Sequence, residues 1–260
     1  MNTIIKSIFV VAAITIAMSS FVLAQQSNCA SADYDCKVRE NTARLAQNPR
    51  DFESYYNRGY AYHQLGKEND AIADFTTYID SKPSNPEYLA DGYDGRANAK
   101  KALARYQDAL ADYNAALKLF TSTIYLNNRG NCYFSMAQYA NALADYDRAI
   151  SIDPKDAEPY YNRAKVYSTQ KLYKKAIADL NIYVELNKTN IPFLADGYQN
   201  RSLAYSNLGD TAQALKDINA AIDLDPTVAS RFRNRAALYR KLGKAGLAAA
   251  DEKTAADLDN

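Results

Sequence analysis

The chain has 260 residues, 48% of them hydrophobic, with few Gly and Pro, 22 Tyr and no Trp, and it carries 31 basic against 30 acidic side chains. This composition suits one sizeable core or a linear array of small units and favours an ordered, mostly helical chain over a disordered one. A net charge of +1 leaves no global attraction to nucleic acid or an anionic membrane, so any such contact must come from a local patch.

In chain order, the first element reads as a targeting segment. Lys6 is the only charge in the first 24 residues, and Ile8 to Ala17 form an apolar run broken only by Thr15. Val22-Leu23-Ala24 places small or modest residues where a signal peptidase reads, which predicts a signal over 1–24 cleaved after Ala24. The residue directly after the cleavage point is Gln25 and not Cys, which argues against a lipid anchor. An uncleaved anchor is the rival reading, since about 18 apolar residues just span a bilayer. Cleavage gives an exported chain, periplasmic or secreted, with no membrane span. In an oxidising compartment Cys29 and Cys36, within the segment 25–50, can pair as a disulfide, whereas Cys132 sits on an apolar helical stripe as a core residue. Residues 33–48 read as a capping helix, and Pro49, 34 residues before Pro83, marks this segment as a degenerate half-unit.

From residue 52 onward a register repeats six times. Its anchors are Arg58, Arg96, Arg129, Arg163, Arg201 and Arg235, spaced by 38, 33, 34, 38 and 34 residues. Sixteen after each stands Asp74, Asp112, Asp145, Asp179, Asp217 or Asp251; thirteen after each is an Ala; one after each is small; three before each is large and apolar. Each unit reads as two helices with a turn about eight residues after the arginine, marked by Leu65-Gly66, Leu208-Gly209 and Leu242-Gly243. Pro83, Pro154 and Pro226 end second helices. Segments such as YYNRGYAYHQLGKENDAIADF (55–75) and LNNRGNCYFSMAQYANALADYDRAISIDP (126–154) resemble the tetratricopeptide repeat. Lys100 departs from that pattern in place of the first-helix Tyr, and Glu252 in place of the aromatic. The resemblance implies an all-α fold, a right-handed superhelical solenoid of about six stacked helix–turn–helix units at 52–85, 86–122, 123–156, 157–190, 191–228 and 229–260. It also implies a concave face lined by the first helices, on which proteins or peptides bind.

The Arg–Asp columns (Arg58 with Asp74, Arg129 with Asp145, Arg163 with Asp179) place opposite charges at one height on facing helices. They are therefore expected to be structural ion pairs rather than a ladder offered to a ligand. An asparagine precedes five of the six arginines: Asn57, Asn128, Asn162, Asn200 and Asn234, with Gly95 as the exception. This column offers a donor and an acceptor per unit to an extended backbone, or else stitches neighbouring helices together. Tyr56, Tyr60, Asn131, Tyr161 and Arg233 join it as groove candidates, because exposed Tyr and Arg most often anchor partners. Asp94, Glu158 and Asp196 stand where a clamp for a terminal carboxylate would need positive charge. His63 is the only histidine, no glycine-rich phosphate loop occurs, and no nucleophile–base pair or metal cluster is legible; no catalytic residue, cofactor or metal is expected.

The leading expectation is thus a non-enzymatic exported scaffold that binds protein or peptide segments on the concave face. The alternatives are an envelope-assembly subunit bound through its convex face or edges, and an anion or polysaccharide binder using Arg231, Arg233 and Arg240. The oligomeric state is not legible. One pentapeptide, LADGY, occurs at 89–93 and again at 194–198, an offset of 105 residues, or three units. It reads as the stamp of a duplicated three-unit block, and the 38-residue intervals predict first helices about one turn longer there.

Overall fold

The computed structural model describes residues 29–259, so the expected signal over 1–24 lies outside the described residues. Among the described residues there are thirteen α-helices and no strand. They are α1 (Tyr34–Gln47), α2 (Phe52–Gln64), α3 (Glu68–Asp80), α4 (Pro86–Ala102), α5 (Tyr106–Leu119), α6 (Thr123–Ser135) and α7 (Tyr139–Ile152). There follow α8 (Glu158–Thr169), α9 (Tyr173–Leu186), α10 (Ile191–Leu208), α11 (Thr211–Leu224), α12 (Ala229–Lys241) and α13 (Ala245–Leu258). The described residues form two compact units, divided between Asp112 and Tyr113. Within each, successive helices pack as antiparallel hairpins and first helices lie beside first helices, α2 by α4, α6 by α8 and α10 by α12. The fold is an all-α repeat solenoid. No described helix is long and apolar enough to cross a membrane.

Local chemistry sets where helices start and turn. Asp51, Asn85, Ser122 and Asp210 cap α2, α4, α6 and α11 by accepting from backbone N–H groups of the first turn. Six residues, each eight after a register arginine, adopt the left-handed conformation: Gly66, Ala104, Ala137, Lys171, Gly209 and Gly243, with φ from 56° to 95°. Three of these are not glycine, so the turn geometry is dictated by the packed hairpin and overrides the cost of a Cβ there.

Inside each hairpin the small column lets two helices meet. The alanines at Arg+13, from Ala71 to Ala214, are fully buried. A Cβ on Gly130 would come within 2.6 Å of the Tyr146 ring. One hairpin cannot cover its own apolar face, so stacking supplies the rest of the core.

The arginine column does more than pair within its own hairpin. Arg58 donates from Nε and Nη2 to both oxygens of Asp74 at 2.7 and 2.8 Å. The same two-pronged geometry joins Arg96 to Asp112, Arg129 to Asp145, Arg163 to Asp179, Arg201 to Asp217 and Arg235 to Asp251. The six carboxylates are 3–5% exposed. A third donor, Nη1, reaches back to the preceding second helix, onto Thr76, Asn114, Asp147, Asn181 and Asn219. These acceptors form a further column, two residues after each aspartate. Arg58 uses Thr42 of α1 in the same way, so α1 stands in for the second helix of a preceding unit. Each guanidinium also lies 5.2–5.6 Å from an aromatic ring three residues earlier, except Arg129, whose ring is Tyr133. Lys100, the departure from the tyrosine column, adds a second cation to Asp112 at 2.6 Å.

The repeated pentapeptide lies within helices, not loops. Its helices, α4 with 17 residues and α10 with 18, exceed the 12–14 of the others. Its glycine has a shared physical reason: a Cβ on Gly92 would sit 2.7 Å from the Tyr78 ring, and one on Gly197 2.9 Å from the ring of Tyr183. Overpacking of this kind typically costs about 1–3 kcal/mol.

Asp145→Ala strands the Arg129 guanidinium against a buried helix interface. It is expected to lower unfolding free energy by about 2–4 kcal/mol in urea titration, with Asp145→Asn intermediate. Ala137→Gly removes the Cβ penalty at φ 56° and is expected to stabilise by up to about 1 kcal/mol. A lowered urea midpoint for that variant would show that the turn is not strained.

Candidate functional site

Because the register arginines point between the two helices of a hairpin, residues two before and two after them project from the outer side of each first helix. On the first unit this side carries a cavity of about 540 Å³ lined by Phe52, Glu53, Tyr56, Asn57, Tyr78, Ser81, Pro83, Tyr88 and Asp91. Tyr56 is half-buried, its ring 5.7 Å from Phe75 and 5.2 Å from Tyr78. Burial, followed by the carboxylates of Asp91 and Asp94, raises the Tyr56 phenol well above its ordinary range. Asn57 and Glu53 also border a second space of about 410 Å³ against Lys37, Glu40, Asn41 and Arg44 of α1. Tyr60 lies there, 45% exposed, with its ring 6.3 Å from that of Tyr34.

The second compact unit repeats the arrangement with different chemistry. A cavity of about 330 Å³ between α8 and α10 includes Phe134, Tyr161, Lys165, Ser168, Asn200 and Asn207 among its walls. The Tyr161 ring lies 4.9 Å from that of Tyr183, tilted by 38°, as counterpart of the Tyr56–Tyr78 pair, and its hydroxyl accepts from Asn200 at 3.1 Å.

Several expected groove residues turn out to be committed elsewhere. Asn162 is only 6% exposed and donates to Asn127 at 2.9 Å, tying α8 to α6; it is a stitch between first helices and cannot read a peptide. Asn131 accepts from the Tyr146 hydroxyl at 2.7 Å. Asn200 is divided between Tyr161 and the Asp196 carbonyl. Asn57 is exposed, whereas Asn128 and Asn234 are partly exposed on α6 and α12.

The three arginines of the last unit named as anion candidates each have an acidic partner. Arg231 is 2% exposed and bound by Asp196 at 2.8 Å and Asp225 at 2.7 Å, with Gln199 accepting from Nε. Arg233 pairs with Asp259 and Arg240 with Glu252. The stretch 230–243 holds no acid of its own, so sequence reading missed these partners, which come from neighbouring helices. Asp225, held by Thr227 and Arg231, titrates at about 2.

Of the remaining candidates, Cys29 and Cys36 are joined in a disulfide. His63 lies 2.7 Å from Glu68. Among the described residues no group of three or more His, Cys, Asp and Glu is placed to hold a metal. The interhelical acceptor column is the feature that sequence reading overlooked; its signal was a polar residue at Asp+2 in five units, replaced by Lys253 in the sixth.

Comparison with known proteins agrees with this architecture. Tetratricopeptide repeat family models match residues 45–73, 157–190 and 195–228, and a TPR repeat model matches 130–171. Tetratricopeptide repeat protein 6 of Homo sapiens is 30% identical over 129 residues, covering 50% of this chain and 24% of that protein. Hsp70-Hsp90 organizing protein 1 of Glycine max is 25% identical over 198 residues, covering 75% of this chain and 33% of that protein. The chain thus spans a third or less of the length of these relatives. Among solved structures, a tetratricopeptide repeat protein from Parabacteroides merdae superposes with a TM-score of 0.66 at 19% identity, covering 88% of both chains. The Cut9 and Hcn1 hetero-tetramer of APC/C gives a TM-score of 0.73 at 16% identity, over 88% of this chain and 44% of that one. With six copies of the Arg–Asp hairpin built as described, the chain belongs to the tetratricopeptide repeat family.

Proposed function

We propose that the protein is an exported, non-enzymatic scaffold that holds extended protein or peptide segments on the outer side of its first helices. The observation that carries this reading is the placement of the cavities of about 540, 410 and 330 Å³, each walled by that side of a first helix and by exposed or half-buried Tyr and Asn. Preformed walls of this kind cost little ordering on binding, and side-chain amides suit a peptide backbone without demanding one sequence. The role of an organizing protein, borne by name by the soybean relative, fits a surface that assembles partners rather than transforms them. A second reading, attachment through the hairpin edges, draws on an apolar and basic depression of about 370 Å³ formed by Lys171, Leu172, Tyr173, Lys174, Lys175 and Leu208.

Peptides selected from a display library against the full chain test both readings. A Tyr56→Ala/Tyr161→Ala variant is expected to lose at least about tenfold in affinity for them. Unchanged affinity, together with loss in Leu172→Asp/Leu208→Asp, would move the site to the edges. For export, expression with the native N-terminus is expected to yield a processed chain beginning at Gln25 by mass spectrometry. A membrane-bound product retaining residues 1–24 would overturn cleavage.

A further inference from the structure

Helix α4 begins a turn early, and that turn carries a side chain for which the hairpin itself has no use. Asn85 caps it by accepting from the Glu87 N–H at 2.9 Å, Pro86 stands at its first position, and Tyr88 follows, 57% exposed. Among the described residues Tyr88 has no hydrogen bond and no stacked or edge-on ring partner, so packing does not account for its place. Phe52, the first residue of α2 and 37% exposed, walls the same space, as does Pro83, which follows the left-handed Lys82 at φ 53°. Together with Tyr56 and Tyr78 they surround the cavity of about 540 Å³ with four aromatic rings and a pyrrolidine.

The acids at the border do not decide what enters. Asp91 already has a partner, and Glu53 also borders the second space beside Lys37 and Arg44. No basic residue lines the cavity, so an acidic side chain would meet no counter-charge there. What the cavity offers is ring faces and hydrogen-bond donors. Asn57 turns an exposed amide to it and, like the Tyr88 hydroxyl, has no partner among the described residues. Burial raises the phenols of Tyr56 and Tyr78 above their ordinary range, so both rings stay neutral. The later copy of the block lacks part of this enclosure. Tyr161, Tyr183 and Phe193 keep three of the rings 105 residues on, but Ala157 stands for Phe52 and Lys188 for Pro83. The enclosure therefore comes from side chains particular to the earlier copy rather than from the repeat.

We infer that the cavity walled by Phe52, Tyr56, Tyr78, Pro83 and Tyr88 receives a proline-rich stretch of a bound segment. Pyrrolidine rings are flat and apolar, and their hydrogens beside the amide nitrogen carry a positive partial charge that complements the negative faces of aromatic rings. Proline brings no N–H that an apolar wall would leave unmet, while its carbonyl still accepts, and the Asn57 amide and Tyr88 hydroxyl are the donors for it. The polyproline conformation is extended and already ordered, which suits a preformed aromatic groove. A lone leucine or phenylalanine would meet the rings without setting consecutive carbonyls at the two donors. This inference rests on the proposed peptide-binding role, because the prolines arrive on a partner chain.

The test titrates the full chain, with isotope-labelled tyrosine rings, against three blocked octapeptides: octaproline, and Gly-Ser octapeptides carrying one central Leu or one central Phe. Octaproline is expected to shift the ring signals of Tyr56, Tyr78 and Tyr88 and to bind at least about tenfold more tightly than the other two. Phe52→Ala/Tyr88→Ala is expected to weaken octaproline by about tenfold or more with an unchanged helical circular-dichroism spectrum. Tyr88→Phe, which keeps the ring and removes the hydroxyl, is expected to weaken it about threefold, and Phe193→Ala to leave it unchanged. Equal or tighter binding of the Leu or Phe peptide, a response centred on Tyr161 and Tyr183, or wild-type affinity in either Tyr88 variant would each overturn the inference. If octaproline fails while library-selected peptides still bind in a Tyr56-dependent way, the proline receptor falls and the peptide-binding role stands.

Discussion

A guanidinium with five N–H groups is the part on which this architecture turns. In each hairpin two of its donors grip both oxygens of a buried aspartate across the helix pair, and a third reaches back to the hairpin before. A buried ion pair is weak support for stability by itself, because both charges must leave water. Here the penalty is met by charge-assisted, two-pronged bonding and by an aromatic ring under the cation. Every buried side-chain nitrogen and oxygen among the described residues has a partner. The result is geometric specificity: the two helices of a hairpin cannot slide by a turn without breaking both prongs, and the next hairpin cannot shift without losing the third bond.

The outer side of the first helices inherits its form from that constraint. With Arg directed between the helices, its neighbour at Arg−1 falls at the seam between successive first helices, where asparagine stitches Asn162 to Asn127 and Asn200 to Tyr161. The one departure in this column has a steric cause. A Cβ on Gly95 would meet the Phe75 ring at 2.6 Å, whereas Asn200 stands opposite the smaller Leu180 three units on. The two copies of the block therefore share a plan yet offer different surfaces.

Architecture was legible in the sequence because repetition turns a weak local signal into a column. Six arginines followed by six aspartates at a fixed distance define the hairpin, and the 105-residue offset dates its assembly. The left-handed turns at Ala104, Ala137 and Lys171 were hidden, since only glycine advertises that backbone conformation. The state of the polar face was less readable still. Whether Asn162 faces solvent or a neighbour, and whether Arg231 is free or enclosed, depends on residues 35 positions away. A local window that holds cations and no acid cannot report acids delivered from elsewhere in the chain, which is why the basic stretch near residue 235 offered an anion surface as an alternative.

The back-reaching donor also explains how such a chain grows. Each joint consists of one arginine and one acceptor two residues beyond an aspartate, so each of the first five units presents a like plug and a like socket. Whole units, or blocks of three, can be copied into the array without inventing a new contact, while an insertion of half a unit would leave a plug facing the wrong helix. Lys253, where the sixth socket would be, is a donor in place of an acceptor and would repel an incoming guanidinium. The order of hairpins thus has a direction written into single side chains, much as interlocking tiles accept a neighbour on one edge only.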